Sequence, residues 1–417
     1  MRSLPYHSLS PVGGRFQAPD PDGDMARVRR HCYVVLLVLG LFVLLILLLS
    51  SHGLHSMLHP LAAPRPAPII LVWDRQSRLL DYKPYRERAE IVRKRLPCGC
   101  DLTSEPNAWK LADAVLVNAF YLRRINDLSH FFPKRRHARQ LWVFYMLEPA
   151  QLTGDNRDAA VFAQLNNQFN LTMTYRQDSD IPIGYGLIRP YYVDDETASS
   201  PPAPLYEDYT RGKTHLVAWF ASNCQAKSGR LDYVRELQKY LPVDIYGACG
   251  NLRCPNATVK DCNQLLTERY KFYLSFESML CRDYITEKFF NPMQQIVVPV
   301  VLSGANYSSV HAPAGSYIDV RDFPSVKALA DYLLFLDSNP AAYNAYFAWK
   351  ARLKVERRGV YSGHLCQLCD RLNGHGHGHA QAGRQPTSFY PDLLQWWHAE
   401  AQCRRGRIRN GTWTTTD

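Results

Sequence analysis

The densest block of reactive side chains is Phe272–Leu302, FYLSFESMLCRDYITEKFFNPMQQIVVPVVL. An apolar strand ends in Phe276-Glu277-Ser278, a polar loop follows, and Tyr284-Ile285-Thr286-Glu287-Lys288 opens a helix before another strand closes the unit. In an open parallel sheet, ligands gather beyond the carboxyl ends of the strands, where helix N-termini offer unpaired N–H groups. An ammonium there neutralises a diphosphate and a carboxylate accepts hydrogen bonds from sugar hydroxyls, roles open to Lys288 and Glu287. The same spacing equally fits a surface Glu–Lys helix start capped by Thr286. A second candidate is Asp178-Ser-Asp180, formally the D-x-D that holds a divalent ion in some sugar transferases. The pattern arises often by chance, and Arg176 and Asp178 are expected instead to shape the cleft or to pair with each other.

The elements that must position these groups alternate between short apolar runs and amphipathic stretches. Ile69–Asp74, Asp113–Phe120 and Gln140–Leu147 read as buried strands separated by charged, helix-length segments. A second series begins with His215–Phe220 and recurs at Val243–Tyr246, Lys271–Phe276, Val297–Leu302 and Ser316–Val320. Between them, Ser228–Leu241 carries Leu231, Val234, Leu237 and Leu241 on one side, and Ser325 can cap a helix bearing Val326, Leu329, Leu333 and Leu336. Two successive α/β domains of this kind face one another across a cleft. The expected boundaries are 69–193 for the N-terminal domain, 194–213 for a proline-bearing linker, and 214–370 for the C-terminal domain. A tail, 371–417, follows. In it, FYPDLLQWW (389–397) can pack back onto the body, RRGRIR (404–409) reads as a solvated end, and His375, His377 and His379 alternate with glycine in a loop.

At 417 residues and 46% hydrophobic, the chain is too apolar to be disordered. Its net charge of +11 suggests an anionic partner. Nucleic acid is disfavoured by residues 32–49, CYVVLLVLGLFVLLILLL, an apolar run that just spans a bilayer as a helix. Arg27, Arg29 and Arg30 precede the run and no Lys or Arg follows until Arg65, which puts the tail (1–31) in the cytosol and the remainder across the membrane. Residues 50–68 then form a proline-rich stem. Of 11 cysteines, only Cys32 lies before or within this anchor, and an even number beyond it favours disulfides. Cys366 and Cys369 are disulfide candidates, with a half zinc site or a redox pair as the weaker alternatives. Asn170, Asn256, Asn306 and Asn410 stand in N-glycosylation sequons.

The strings DYITEKFFN, VVPVVLSGANY (297–307), SYIDVRDF (316–323), WFASNC (219–224), VDIYGACG (243–250) and YNAYFAWK (343–350) closely resemble the α1,3-fucosyltransferase family, glycosyltransferase family 10. The similarity runs from about Ile69 to Cys369. It implies an α/β fold in the GT-B arrangement, two Rossmann-like domains facing a cleft, here preceded by a single transmembrane helix. It further implies a type II, single-pass Golgi membrane enzyme with its catalytic part lumenal. The implied reaction moves L-fucose from GDP-fucose to N-acetylglucosamine, inverting the anomeric centre.

Carried over by motif, Tyr284 is expected beside the guanine, Glu287 beside the donor sugars, and Lys288 and Arg230 on the diphosphate. Glu148, in YMLEP, is the expected base. No cofactor is required, and a divalent cation is at most a stimulant. The partners implied are GDP-fucose, an N-glycan acceptor on glycoproteins and the Golgi membrane; a homo-oligomer is left open. The cysteine-bearing VDIYGACG and the Cys366/Cys369 tail look most like the invertebrate and plant branch that modifies the innermost core N-acetylglucosamine. A Lewis-type antennary acceptor is the alternative. The family usually has Phe-Glu-Asn-Ser where this chain has Phe276-Glu277-Ser278-Met279. That departure motivates the alternative of a catalytically silent Golgi binding protein, and Asp178 and Asp180 motivate that of a metal-dependent transferase.

Overall fold

Apolar runs buried on both faces are what a parallel sheet requires, and in the computed structural model they build two such sheets. The structure describes residues 33–46, 66–73, 94–152, 159–191, 208–254, 259–357, 363–374 and 388–416, less a few positions between 123 and 135. The chain divides into two units, Met1–Pro66 and Ala67–Asp417. In the first, residues 33–46 form a helix (α1) with every side chain exposed. Among the described residues no helix is long and apolar enough to cross a membrane. Both ends of the expected span, the cytosolic tail, most of the stem and linker, Asn256 and the His375–His379 loop lie outside the described residues.

In the second unit, β1 (Ile69–Val72), β2 (Lys94–Arg95), β3 (Asp101–Thr103), β4 (Ala114–Asn118), β5 (Leu141–Met146) and β6 (Leu171–Thr174) form one sheet in the order β2-β3-β1-β4-β5-β6. All its pairings are parallel except that of the edge strand β2. Strand alternation sends Val115, Val117, Trp142 and Phe144 to one face, and Ala114, Leu116, Val143 and Tyr145 to the other. Two short helices, α2 (Ala119–Leu122) and α3 (Ala159–Ala163), follow β4 and precede β6. After β6 the chain makes β7 (Gly186–Pro190).

The second sheet contains β8 (His215–Phe220), β9 (Val243–Tyr246), β10 (Tyr270–Phe276), β11 (Val298–Leu302) and β12 (Ile318–Asp319), all parallel, in the order β12-β11-β10-β8-β9. Its helices are α4 (Arg230–Leu237), α5 (Val259–Arg269), α6 (Glu287–Met293), α7 (Val326–Ser338) and α8 (Pro340–Ala345). Tyr233, Val234 and Leu237 of α4 share one apolar cluster with Leu329, Leu333 and Leu336 of α7 and with Phe272, Leu274 and Phe276 of β10. Ser325 caps α7, its hydroxyl accepting from Ala328 N at 3.1 Å. Leu265 and Leu266 of α5, with Phe289 and Phe290 of α6, cover the opposite face. The strand order is doubly wound and reverses between β8 and β10, which places a topological switch point at their carboxyl ends.

The first sheet is completed by segments from far along the chain. α9 (Leu365–Leu372) lays Leu365, Leu368 and Cys369 on one face of the first sheet. Tyr390, Leu393, Trp396 and Trp397 complete the other face, against Trp142, Phe144 and Phe169. The segment expected to be a solvated end is instead ordered. β14 (Arg405–Arg409) pairs with β15 (Thr412–Thr416) in an antiparallel hairpin, after β13 (Leu353–Arg357) has paired with β7. Ile408 and Trp413 pack on the second core.

Cysteines from Cys98 to Cys403 join as Cys98–Cys366, Cys100–Cys369, Cys224–Cys249, Cys254–Cys262 and Cys281–Cys403. Cys366 and Cys369 are therefore disulfide-bonded, each to the first sheet rather than to one another: α9 presents both to the turn at Cys98–Cys100. Asn170 corrects the sequon expectation. It is 4% exposed and its Oδ1 accepts from Trp142 N at 2.9 Å, so a glycan there would break the sheet. Asn306 and Asn410 are exposed.

Two outcomes follow from this packing. Trp397→Ala should lower stability by about 3–5 kcal/mol, the usual cost of emptying a large buried aromatic site, read by equilibrium urea unfolding. In protein from a secretory host, Asn170→Gln should leave the intact glycoprotein mass unchanged apart from the residue itself.

Candidate active site

Glu277 closes β10 with its side chain fully buried. Burial pushes its pKa up, and a carboxylate in that position is tolerable only with donors around it. The chain supplies them nine residues on. Thr286 N donates to Glu277 Oε1 at 2.8 Å, and Thr286 Oγ1 lies 2.9 and 3.0 Å from the two oxygens. Lys288 Nζ stands 3.5 Å from Glu277 Oε2, 3.0 Å from Thr286 Oγ1 and 3.0 Å from Glu287 Oε1. Thr286 also caps α6, accepting from Lys288 N at 3.3 Å. Although burial opposes charge at Lys288, Glu277 and Glu287 outweigh it and hold the ammonium pKa above its ordinary value. Glu287 is likewise driven up by burial, but its lysine neighbour wins and keeps it below the usual carboxylate range. Both stay ionised at neutral pH, and both keep part of their side chains at the surface.

Arg230 begins α4, at the carboxyl end of β8, on the other side of the switch point. The residue is 3% exposed. Nη1 donates to Phe276 O at 2.9 Å and Nη2 to Asn223 O at 3.0 Å, while the group lies 5.6 Å from the Trp219 ring. Burial lowers its pKa and Glu277 opposes that. Among the described residues, Arg230 Nε and the buried Ser228 Oγ have no hydrogen-bond partner. Arg230 is thus a fixed cation with a donor to spare, beside the Lys288 cluster with which it interacts electrostatically. The turn before it is held by the C-terminal hairpin. Gly229 has φ +68°, and a Cβ there would come within 2.2 Å of Gly406 O. Only glycine fits that crossing.

Tyr284 lies in the loop between β10 and α6. It is 2% exposed, between the two lobes, with its ring 5.0 Å from that of Tyr175 and its carbonyl accepting from Ser303 Oγ at 2.9 Å. Burial raises its pKa well above the ordinary phenol value, and Glu148, Glu277 and Glu287 add to the effect. That electrostatic contact brings Glu148 to the same locality. Glu148 follows β5 and is half-buried, at the carboxyl end of the first sheet. Of the residues singled out by motif, Glu148 follows β5, Arg230 lies beyond β8, and Tyr284, Glu287 and Lys288 lie beyond β10.

The D-x-D carboxylates are each engaged by protein donors. Asp180 Oδ2 accepts from Thr172 N at 2.8 Å and from Tyr390 OH at 2.8 Å. Asp178 pairs with Arg176, as expected, and also with Arg282. Burial acts to raise the Asp178 pKa, but the two guanidiniums hold it below the usual range. At the Ser278-Met279 departure, the backbone of the first residue and the side chain of the second are both engaged. Ser278 offers its carbonyl to Ser228 N at 3.2 Å. Met279, 4% exposed, joins the apolar cluster of Tyr284, Trp396 and Trp397, so the non-family residue seals the space between the lobes.

Two groups escaped the sequence-based assignment of roles. Glu277 was legible as a carboxylate ending an otherwise apolar strand, a placement that demands a partner. Tyr175 had no such signal, since its contact with Tyr284 spans 109 residues of chain.

Comparison with known proteins decides the family. Residues 210–396 match "Glycosyltransferase family 10 (fucosyltransferase) C-term" and residues 65–186 match "Fucosyltransferase, N-terminal". The chain is 35% identical over 326 residues to alpha-(1,3)-fucosyltransferase C of Drosophila melanogaster, covering 74% of this chain and 71% of that one. It belongs to the family 10 fucosyltransferases. Glycoprotein 3-alpha-L-fucosyltransferase A of the same fly is 36% identical, over 75% of this chain and 57% of its own. A human 4-galactosyl-N-acetylglucosaminide 3-alpha-L-fucosyltransferase is 36% identical over 66% of this chain and 68% of its own. A solved structure described as alpha1,3-fucosyltransferase with GDP-fucose has a TM-score of 0.46 and 17% identity, covering 76% of this chain and 92% of that one.

The cluster makes a separable prediction for this fucosyltransferase. Lys288→Ala should weaken GDP binding by at least about tenfold, because a charge-assisted contact to a phosphate is worth about 1.5–3 kcal/mol. Glu277→Gln should keep GDP affinity within about threefold, as the cation remains, while lowering the melting temperature. Isothermal calorimetry and thermal unfolding read the two effects apart.

Proposed function

We propose that this fucosyltransferase transfers L-fucose from GDP-fucose to an N-acetylglucosamine hydroxyl of glycoprotein N-glycans, forming an α1,3 linkage with inversion. The observation that carries the reading is the facing of two charged strand ends. The cations Arg230 and Lys288 lie on one side, and the carboxylate of Glu148 lies within electrostatic reach of Tyr284 on the other. Glu148 takes the proton from the acceptor hydroxyl as its oxygen bonds to the fucose C1. The bond from C1 to the β-phosphate oxygen breaks on the opposite face, and its electron pair leaves with GDP. An oxocarbenium-like state of this kind parallels that of inverting glycosidases. Lys288 and Arg230 stabilise the charge arriving on the diphosphate, which is electrostatic preorganisation in a partly dry site. Glu287, ionised beside Lys288, is placed to accept hydrogen bonds from donor-sugar hydroxyls. The two doubly wound sheets are those of a GT-B arrangement.

The preferred acceptor is the innermost core N-acetylglucosamine. Likeness to the fly glycoprotein 3-alpha-L-fucosyltransferase supports a glycoprotein acceptor, and the cysteine-bearing VDIYGACG with the Cys366/Cys369 tail supports the core residue. Comparable likeness to a human enzyme named for galactosyl-N-acetylglucosaminide supports an antennary acceptor as the second reading.

The setting we infer is the lumenal side of the Golgi membrane, with residues 32–49 as a type II anchor. The apolar run with its upstream arginines supports the anchor, and the five disulfides suit an oxidising compartment.

The full chain, incubated with GDP-fucose and separated core and antennary N-glycans, should add one fucose to the core residue, read by mass. Fucose only on antennae would overturn the acceptor, and none on any glycan would overturn the reaction. Glu148→Gln should lower kcat by about 10²–10⁴-fold, the usual range for a lost general base, with GDP affinity nearly unchanged. Near-normal turnover in that variant would remove Glu148 from the role.

A further inference from the structure

The turn that follows β6 and the turn that precedes Tyr284 are clasped by charge. Arg176 is fully buried, with Nε 2.9 Å from Asp178 Oδ1 and Nη2 2.6 Å from Asp178 Oδ2. Its remaining donor meets the carbonyl of Trp396, its guanidinium lies 4.4 Å from the Trp396 ring, and Glu400 Oε2 stands 3.5 Å away. The same Asp178 Oδ2 accepts from Arg282 Nη2, a residue 104 positions along the chain in the donor-side lobe. The contact is returned on the backbone: Gln177 N donates to Asp283 Oδ2 at 3.2 Å, with Asp283 held at φ +61°. Arg282 N in turn donates to Ala401 O at 2.8 Å. One residue beyond these turns, Tyr175 and Tyr284 pack ring against ring.

We propose that Asp178 and Arg282 are positioning residues for transfer. Their ion pair holds the turn 281–283, and through it Tyr284 and the Lys288 cluster, in register with the strand end that carries Glu148. This rests on assigning Glu148 and Lys288 to opposite sides of one transfer site. An in-line displacement needs donor and acceptor groups placed within a fraction of an ångström, and a misplacement of about 1 Å costs about 100-fold in rate. The clasp crosses between the lobes two residues before Tyr284. Arg282 is its adjustable member. Its side chain is 35% exposed, and its removal leaves the Arg176–Asp178 pair in place.

Arg282→Ala in the full chain tests the clasp, with Arg282→Lys as the conservative variant. Arg282→Ala should lower kcat at least about tenfold, leaving GDP affinity within about threefold and the melting temperature nearly unchanged. Arg282→Lys, which keeps one bond to Asp178, should recover much of the loss. Unchanged kcat in Arg282→Ala would overturn the proposal. So would a kcat loss matched by an equal loss of GDP affinity, since that would mean a collapsed donor site.

Hydrogen exchange supplies a readout that needs no turnover. In the wild type, GDP should slow exchange in residues 171–183 as well as in 284–293; in Arg282→Ala the first effect should vanish and the second remain. If GDP never protects 171–183 in the wild type, the clasp is wrong whatever sugar is moved. If that protection is present but the wild type transfers no fucose, the functional reading fails and the clasp stands.

Discussion

A carboxylate buried at the tip of an apolar strand must be surrounded by donors, and that requirement organises this protein. Glu277 has no exposure and takes both the N–H and the hydroxyl of Thr286, with the Lys288 ammonium alongside. Because a group so placed is costly to leave unpaired, the loop from Ser278 to Ile285 has to return the chain to the strand end. That return sets the start of α6. It also presents Lys288 and Glu287 at the switch point, where the reversal of strand order opens a crevice. The Lys288 cluster is therefore a consequence of satisfying one buried charge.

The first sheet depends on a second constraint. Residues adjacent in sequence, among them Leu122, Phe162 and Leu165, cover it only in part. α9 covers one face and the segment around Trp396 and Trp397 the other, while β14 and β15 brace the turn before Arg230. The C-terminal stretch thus belongs to both lobes. Met279 and Tyr284 enter the same apolar cluster as Trp397, so the loop that returns from Glu277 is also the packing surface between the lobes. Burial there gives a contact of fixed geometry, because close-packed side chains have few alternative arrangements.

Much of the fold was legible because a parallel sheet leaves an unmistakable trace. The strands at Val243–Tyr246 and His215–Phe220 have the bounds read from their apolar runs, and the Ser325 cap lies where a hydroxyl precedes a helical stripe. The tail escaped because RRGRIR carries three arginines on one strand face, with glycine and isoleucine on the other. A two-residue period over five residues is weak beside so much charge. The cysteines escaped in part for a related reason. Their number predicted pairing, but Cys366 and Cys369 lie one helical turn apart on α9 and meet partners 268 and 269 positions away.

The amino-acid sequence by itself determined the class of the protein. Apolar periodicity specifies the strands and helices, the motif DYITEK specifies the family, and the types of Glu148, Arg230, Glu287 and Lys288 specify the chemistry open to them. These are local properties, carried by residues within a few positions of each other. Only the tertiary structure decided which groups act together. It buried Asn170 in a sheet, drew Tyr284 between the lobes, gave Arg282 to Asp178, and made the chain terminus part of two cores. Each of those outcomes depends on contacts between residues scores to hundreds of positions apart, and no local pattern encodes the closing of such distances.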